Sequence, residues 1–340
     1  MRIGDQLVGG GGSRPGGGSL TKGGGAGAPA WLRHLFCLAV SLIFALFAAR
    51  GARGAEPPGG KTPPGQATVS VFLLGVRDFD QRRGSYIMDF YLDFKCPDGC
   101  TPEKFEFTNG TILTKEEASS TPGALTYRVT ALLYGNLDMR KYPFDRQDLH
   151  LSIEDKVLNN EALRYVADEA RTASDPGMQV SGWNIVDTSS AVDDHYYLTW
   201  DESYSRYTFR LKLARPILSS LLKGILPAFL VGLCSFFALM LPIEKINRLT
   251  VLTSTFITAV LLHLNSTGNL PPVSYLTYMD MFMLVNYAVI VGNIGLSVLI
   301  GRTLDAGETE KAMRLNRRVQ VIMPATWLLA QGVCALTLFF

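Results

Sequence analysis

Between Leu249 and Gly301 the chain carries a single formally charged residue, Asp280. A water-soluble domain of ordinary composition does not run that far without charge, so this stretch has to lie in lipid. Four apolar segments follow Arg215, at about 217–241, 249–264, 278–300 and 322–340. Three of them reach the roughly 20 residues a helix needs to cross a bilayer core about 30 Å thick. The second is different, because Thr250, Thr253, Ser254, Thr255 and Thr258 stand among its aliphatic residues. It can span only where its hydroxyl face meets water or protein rather than lipid.

Basic residues set the orientation. The link between the third and fourth segments holds Arg302, Lys311, Arg314, Arg317 and Arg318, and the first-to-second link holds Lys245 and Arg248, while the second-to-third link has neither Lys nor Arg. The two basic links are therefore cytoplasmic, and four spans put both the preceding domain and the C-terminus outside the plasma membrane, or in the periplasm of a bacterium. Overall, 32 Lys+Arg against 30 Asp+Glu exclude an electrostatic nucleic-acid binder.

The region ahead of the spans has three parts. Residues 1–30 are rich in Gly and Ser and bury too little to order themselves. Residues 31–54 have an apolar run behind Arg33 and His34, followed by small residues around Ala52 and Gly54, which reads as a signal peptide or as an uncleaved anchor. Residues 55–66 form a Gly/Pro linker. From 67 to 214 the apolar residues alternate, as in Val69-Val71-Leu73, Tyr86-Met88-Phe90-Leu92, Leu149-Leu151-Ile153 and Tyr207-Phe209-Leu211-Leu213. Broken by Asp/Gly/Asn/Pro clusters, this pattern predicts an all-β sandwich of immunoglobulin-like type.

Within the second segment, Thr250, Ser254, Ile257, Leu261 and Leu264 recur at spacings of four, three, four and three and share one helical face. Repeated around an axis, that face would give hydroxyl rings that replace part of an ion's hydration and an apolar constriction at Ile257 and Leu261. A helix buried in a bundle, its Ser and Thr bonded to neighbours, explains the periodicity equally well.

The stretch Leu137-Asp138-Met139-Arg140-Lys141-Tyr142-Pro143-Phe144-Asp145-Arg146-Gln147 resembles the signature loop of the pentameric ligand-gated ion channels, the Cys-loop receptor superfamily. Arg215 before the first span, Pro227 inside it, and Asn269-Leu270-Pro271-Pro272-Val273-Ser274-Tyr275-Leu276-Thr277-Tyr278 after the second are similar to that family too, and the likeness covers roughly residues 67 to 340. It is closest to the prokaryotic branch, which includes a proton-gated cation channel. Tyr134 and Asp148 stand where animal receptors have the two loop cysteines, and the third-to-fourth link lacks a long insert.

The resemblance implies a homopentamer, each chain meeting four further subunits and membrane lipid, that passes monovalent ions and takes a small-molecule or proton agonist. The second helix would line the pore, with Thr250 and Ser254 as polar rings, Ile257 and Leu261 as the gate and Leu264 near the outer mouth. Phe144 and Asp145, with Asp80 of the first hairpin, would couple the outer domain to the spans through Arg215. A static salt bridge holding the two domains together is the alternative.

Departures bear on ion sign and agonist. Asn247 precedes Arg248 at the cytoplasmic mouth, so Glu244, one turn lower, is the carboxylate left to set cation selectivity, opposed by Lys245 and Arg248. An anion-selective member is the alternative. Between Phe94 and Asn109 the chain is shorter than in the family and holds Cys96 and Cys100, which can close a small disulfide loop in an oxidising compartment. Tyr165, Trp183, Tyr196, Tyr197, Trp200 and Tyr204 then remain as candidate contacts for an organic cation, or as core aromatics. Asp193, Asp194 and Glu202 offer a proton or divalent-cation sensor instead. His263 is expected buried and neutral against neighbouring helices, and Asn109-Gly110-Thr111 reads as a glycosylation sequon in a eukaryotic source.

Neither metal nor cofactor is called for, and the isolated histidines 34, 150, 195 and 263 build no catalytic constellation, so an enzyme is not the expectation. Besides a channel, the shortened outer domain leaves a non-conducting binding or accessory relative.

Overall fold

The structure, a computed structural model, describes residues 65–97, 102, 104–242 and 247–338. The expectations for residues 1–64, Cys100 and Glu244 lie outside them.

Ten strands come first: β1 (Gly65–Asp80), β2 (Ser85–Lys95), β3 (Phe105–Phe107), β4 (Gly110–Thr121), β5 (Ala124–Tyr134), β6 (Arg146–Asp155), β7 (Leu163–Ala167), β8 (Ala173–Ser174), β9 (Asn184–Tyr197) and β10 (Glu202–Ala214). One sheet runs β4-β5-β2-β1-β7, with β8 also paired to β1, and the other runs β3-β6-β10-β9. The alternation in the sequence is what buries one face of each. Tyr86, Met88, Phe90, Leu92 and Phe94 of β2, Leu149, Leu151 and Ile153 of β6, and Tyr207, Phe209, Leu211 and Leu213 of β10 meet in one core. Each such side chain contributes about 1.5–3 kcal/mol by burial, and a one-residue slip of register would turn the whole row to solvent.

Strand β1 begins at Gly65, not at residue 67, because Gly65 and Gln66 pair in parallel with Leu163 and Arg164. The sequon has a structural use. Asn109 Nδ2 donates to the carbonyls of Tyr134 (3.0 Å) and His150 (2.8 Å), and its Oδ1 accepts from the Ser152 amide (3.0 Å). Both amide hydrogens are thereby committed to bracing β5 against β6, and the side chain is not presented for a glycan.

Four helices long and apolar enough to cross a membrane follow, at Ile217–Met240, Asn247–Thr267, Tyr278–Asp305 and Thr309–Leu336. The first contains a π-helical turn at Leu221–Ile225 just ahead of Pro227, where the missing proline N–H makes the looser turn cheap. The last starts well before residue 322. Ala312, Leu315, Val319 and Met323 continue its inward period while Arg314, Arg317 and Arg318 lie outward, so an amphipathic helix extends beyond the apolar run.

Polar side chains pin the bundle. Asn286 of the third span is fully buried; its Nδ2 donates to the Ala228 carbonyl of the first span (2.9 Å), and its Oδ1 accepts from Trp327 Nε1 of the fourth (2.8 Å). In an apolar surround such bonds fix register, since a broken one leaves a polar group without water. Gly232 permits the approach: a Cβ there would sit 2.7 Å from Asn286 Oδ1 and 2.8 Å from the Trp327 ring.

Candidate functional site

Three zones hold the candidate residues. The first is the second span, whose buried positions are Arg248, Leu252, Thr255 and Ala259, again at helical spacing. Thr250, Ser254, Ile257, Leu261 and Leu264 all lie on the exposed face opposite, Ile257 at 56%, Leu261 at 61% and Leu264 at 63% exposure. Arg248 departs from its expected place at the mouth. It is 3% exposed and its Nη1 donates to Asn316 Oδ1 of the fourth span at 2.9 Å.

The second zone is the boundary between sandwich and spans. Strand β10 ends at Ala214 and the first span begins at Ile217, so Arg215 is fixed between two rigid elements. Its Nε donates to Asp145 Oδ1 at 2.6 Å, and Nη2 donates to Gln81 Oε1. The second oxygen of Asp145, a residue only 1% exposed, accepts from Gln147 Nε2 at 2.6 Å. Aromatic faces close the remaining sides, Trp183 with its centroid 4.4 Å from the guanidinium carbon and Tyr142 at 5.1 Å. Burial raises the Tyr142 phenol pKa although the guanidinium beside it pulls the other way. The same loop reaches the spans: Tyr142 hydroxyl donates to the Ser266 carbonyl (3.1 Å), the Met139 amide donates to Tyr275 hydroxyl (2.9 Å), and Phe144 packs on Tyr278 with centroids 5.9 Å apart.

Two expectations change here. Asp80 does not meet Arg215 among its hydrogen bonds and ion pairs; its carboxylate accepts from the amides of Arg82 and Arg83 and lies 3.6 Å from Arg83 Nε. An Asp at the head of a tight turn satisfies the turn's own backbone first, which leaves the reach to Arg215 to its neighbour Gln81. Trp183, expected with the ligand-contacting tyrosines, is at this boundary instead.

The third zone is a cavity of about 450 Å³ at the other end of the β9–β10 hairpin, lined by Glu106, Glu154, Asp155, Lys156, Tyr197, Trp200, Glu202 and Tyr204. Tyr197 packs against Trp200 (5.3 Å) and Tyr204 (5.7 Å), and its hydroxyl donates to Glu154 Oε2 at 2.8 Å. Arg206 Nε donates to the other oxygen, Oε1, at 2.5 Å. Burial and the adjacent carboxylate raise the Tyr197 pKa, and the hydrogen bond to Glu202 raises that of Tyr204. Tyr196 points elsewhere, its hydroxyl on Asp201 at 2.7 Å. Tyr165 lies in the sandwich core against Phe94, because it falls on the inward phase of β7. Cys96 is disulfide-bonded and buried.

Sequence reasoning missed one pair. His263 meets Asp280 Oδ1 through Nε2 (2.8 Å) and the Tyr287 hydroxyl through Nδ1 (2.9 Å), so it is not the isolated imidazole expected. Asp280 also closes a capping box with Thr277 at the start of the third span. A lone carboxylate in an apolar stretch needs a partner, and that was the available signal.

A β-sandwich ahead of four membrane-length helices defines a multi-pass membrane protein with an extracellular β domain. The chain is similar to a proton-gated ion channel of Gloeobacter violaceus, 23% identical over 223 residues, 65% of this chain and 62% of the relative. It is also similar to pH-sensitive chloride channel 2 of Drosophila melanogaster, at 24% over 55% of the chain and 35% of that protein. A serotonin-gated chloride channel of Caenorhabditis elegans matches at 28% over 47% and 32%. Each match thus spans less than two thirds of the relative's length. No family model matches. In its fold and these likenesses the chain resembles the pentameric ligand-gated ion channels, the Cys-loop superfamily, and the relatives are channels rather than enzymes.

Proposed function

We propose that five copies of this chain form a ligand-gated ion channel whose pore is lined by the second span. The observation that carries it is the division of that helix into a buried stripe, Arg248-Leu252-Thr255-Ala259, and an exposed stripe, Thr250-Ser254-Ile257-Leu261-Leu264. In the ring, the hydroxyls offer oxygen to a partly dehydrated ion, and the Ile257 and Leu261 rings close the path by dewetting. Asp145, Phe144 and Arg215, with Gln81 taking over from Asp80, couple the sandwich to the spans, the charge cluster having a different arrangement in each gating state.

Cations are the proposed permeant ions. Burial of Arg248 against Asn316 withdraws positive charge from the mouth, which leaves the Glu244 ring to attract cations. Two of the relatives are named chloride channels, and anions are therefore the opposing outcome of the test. The agonist site is the cavity under Tyr197, Trp200 and Tyr204. Its carboxylates Glu106, Glu154, Asp155 and Glu202 outnumber Lys156, a balance that suits an organic cation against aromatic faces or a titrating proton. Tyr165 and Trp183 are not part of it. A Cys96–Cys100 disulfide closes the shortened loop.

Voltage-clamp recording with external pH steps and asymmetric salt tests this reading. An evoked current reversing toward the cation potential, with resting leak raised by Ile257→Thr, supports it. Reversal toward chloride overturns the cation assignment, and a silent chain at full surface expression makes it a non-conducting relative.

A further inference from the structure

One charged side chain lies inside the bundle with most of its donors unused. Arg248 is the second residue of the 21-residue second span, is 3% exposed, and donates from Nη1 to Asn316 Oδ1 of the fourth span at 2.9 Å. Its Nε and Nη2 are buried and have no hydrogen-bond partner. Those two nitrogens carry the parallel N–H groups that form the edge of the guanidinium used in bidentate contacts with paired oxygens. A buried guanidinium with that edge unpaired bears its desolvation cost uncompensated.

The surroundings select the kind of group that fits the edge. Helical side chains lean toward the N-terminus of their helix, which directs Arg248 to the open end of the second span, where the leading N–H groups have no acceptor within the helix and the dipole favours an anion. Around this inner end, Arg302, Lys311, Arg314, Arg317 and Arg318 outnumber Asp305, Glu308 and Glu310. Lys311 pairs with Glu308 at 2.8 Å, while the four arginines make no ion pair among the described residues. The fourth span, which carries Asn316, exposes Val321, Leu328 and Leu329. The guanidinium therefore reaches from the second span to a helix that borders lipid, at the depth where a bilayer has its headgroup phosphates.

We propose that Arg248, with the N-terminal turn of the second span, is a binding site for a phosphate group, presented by an anionic lipid of the inner leaflet or as free phosphate from the cytoplasm. Two phosphate oxygens accept from Nε and Nη2, and Asn316 holds the guanidinium in place for them through Nη1. Bound there, the phosphate neutralises the buried charge and ties the foot of the second span to the fourth. The exposed arginines attract the anion but do not replace the buried edge. Nothing in this site depends on ion conduction.

The test uses the full chain purified in a neutral detergent and titrated with dioctanoyl phosphatidic acid or, separately, with inorganic phosphate. The readout is the thermal midpoint, which a ligand of the folded state raises as its concentration passes its dissociation constant. A rise is expected, and whichever ligand produces it names the source of the phosphate. Arg248→Gln is expected to raise the concentration for half-effect at least about tenfold, the worth of a charge-assisted pair, whereas the exposed Arg314→Gln raises it no more than about fivefold. Asn316→Asp keeps Arg248 but neutralises it from within, so its midpoint without ligand rises and its response to ligand weakens.

No rise with either ligand, or a rise that Arg248→Gln leaves intact, overturns the proposal. So does an equal loss in Arg314→Gln, which means attraction to the basic surface alone. A response that appears only in Glu244→Gln assigns the Arg248 edge to the chain's own carboxylate four residues ahead and overturns it too. Should Arg248→Gln not assemble, Asn316→Asp decides, and an undiminished response in that variant overturns the site.

Discussion

Two arginines, one on β10 and one just past its end, make the same bond in different settings. Near the tip of β10, Arg206 donates to Glu154 at 2.5 Å beside the Tyr197 ring, and just past its base Arg215 donates to Asp145 at 2.6 Å beside Tyr142 and Trp183. Glu154 of the tip pair lines an open cavity of about 450 Å³. The base pair is sealed by Gln81, Gln147 and the two rings. A pair that faces a cavity can exchange partners with a ligand, whereas a sealed pair changes only when the elements holding it move relative to one another. On the proposed channel reading, the difference divides sensing at the tip from transmission at the base.

The largest effect expected from breaking this comparison is at the base. Asp145→Ala leaves the Arg215 charge buried and unpaired, a loss of about 3–5 kcal/mol, read as a lowered thermal midpoint and lost surface expression. Should the protein still assemble, reversing both charges tests coupling: Asp145→Arg with Arg215→Asp recovers gating beyond either single reversal. Purely additive losses in that cycle exclude direct coupling. The tip is expected to be milder. Glu154→Gln removes a charged acceptor from Arg206, whose side chain is 21% exposed against 17% for Arg215, and an open cavity admits water to the freed guanidinium. A loss of about 2 kcal/mol is expected, with activation shifted and assembly kept. A larger stability loss at Glu154 than at Asp145 would reverse the assignment of sensor and transmitter.

Much of this frame was legible from residues alone, because burial on a regular element is periodic. The rows ending at Leu92, Ile153 and Leu213, and the Thr250-to-Leu264 face, follow from period two and period 3.6. What periodicity does not contain is the partner. Asp80 and Gln81 are neighbours in one turn, and charge complementarity favours the carboxylate for Arg215; only the turn's own amides, which occupy Asp80, reverse the choice. Trp183 and Trp200 look alike as aromatics near strand ends, yet one is at the base of the hairpin and the other at its tip. Arg248 follows the buried phase of its own helix, which was readable, but its partner Asn316 is on another span.

Alkali tests the core of the sandwich. Burial pushes up the pKa of Tyr86 and, helped by Asp155 and Glu154, that of Tyr165. For a raised phenol the folded state holds its proton longer than the unfolded chain, which releases it near pH 10. The stability this gives is complete below that pH and declines as pH rises through it, by about 1.4 kcal/mol per pH unit for each such tyrosine. Thermal midpoints of the purified protein should therefore fall above about pH 10, and Tyr86→Phe should flatten the fall.

The smallest effect goes the other way in sign. The Tyr165 hydroxyl is buried with no hydrogen-bond partner, so it bears its desolvation cost uncompensated. Its ring packs against Phe94 in the core, and phenylalanine keeps that packing while removing the orphan oxygen. Tyr165→Phe is expected to stabilise the sandwich by about 1 kcal/mol and to leave the activation midpoint unchanged, because the hydroxyl does not line the cavity. A shifted midpoint in this variant would return Tyr165 to the ligand site and extend the sensing end of the hairpin into the core.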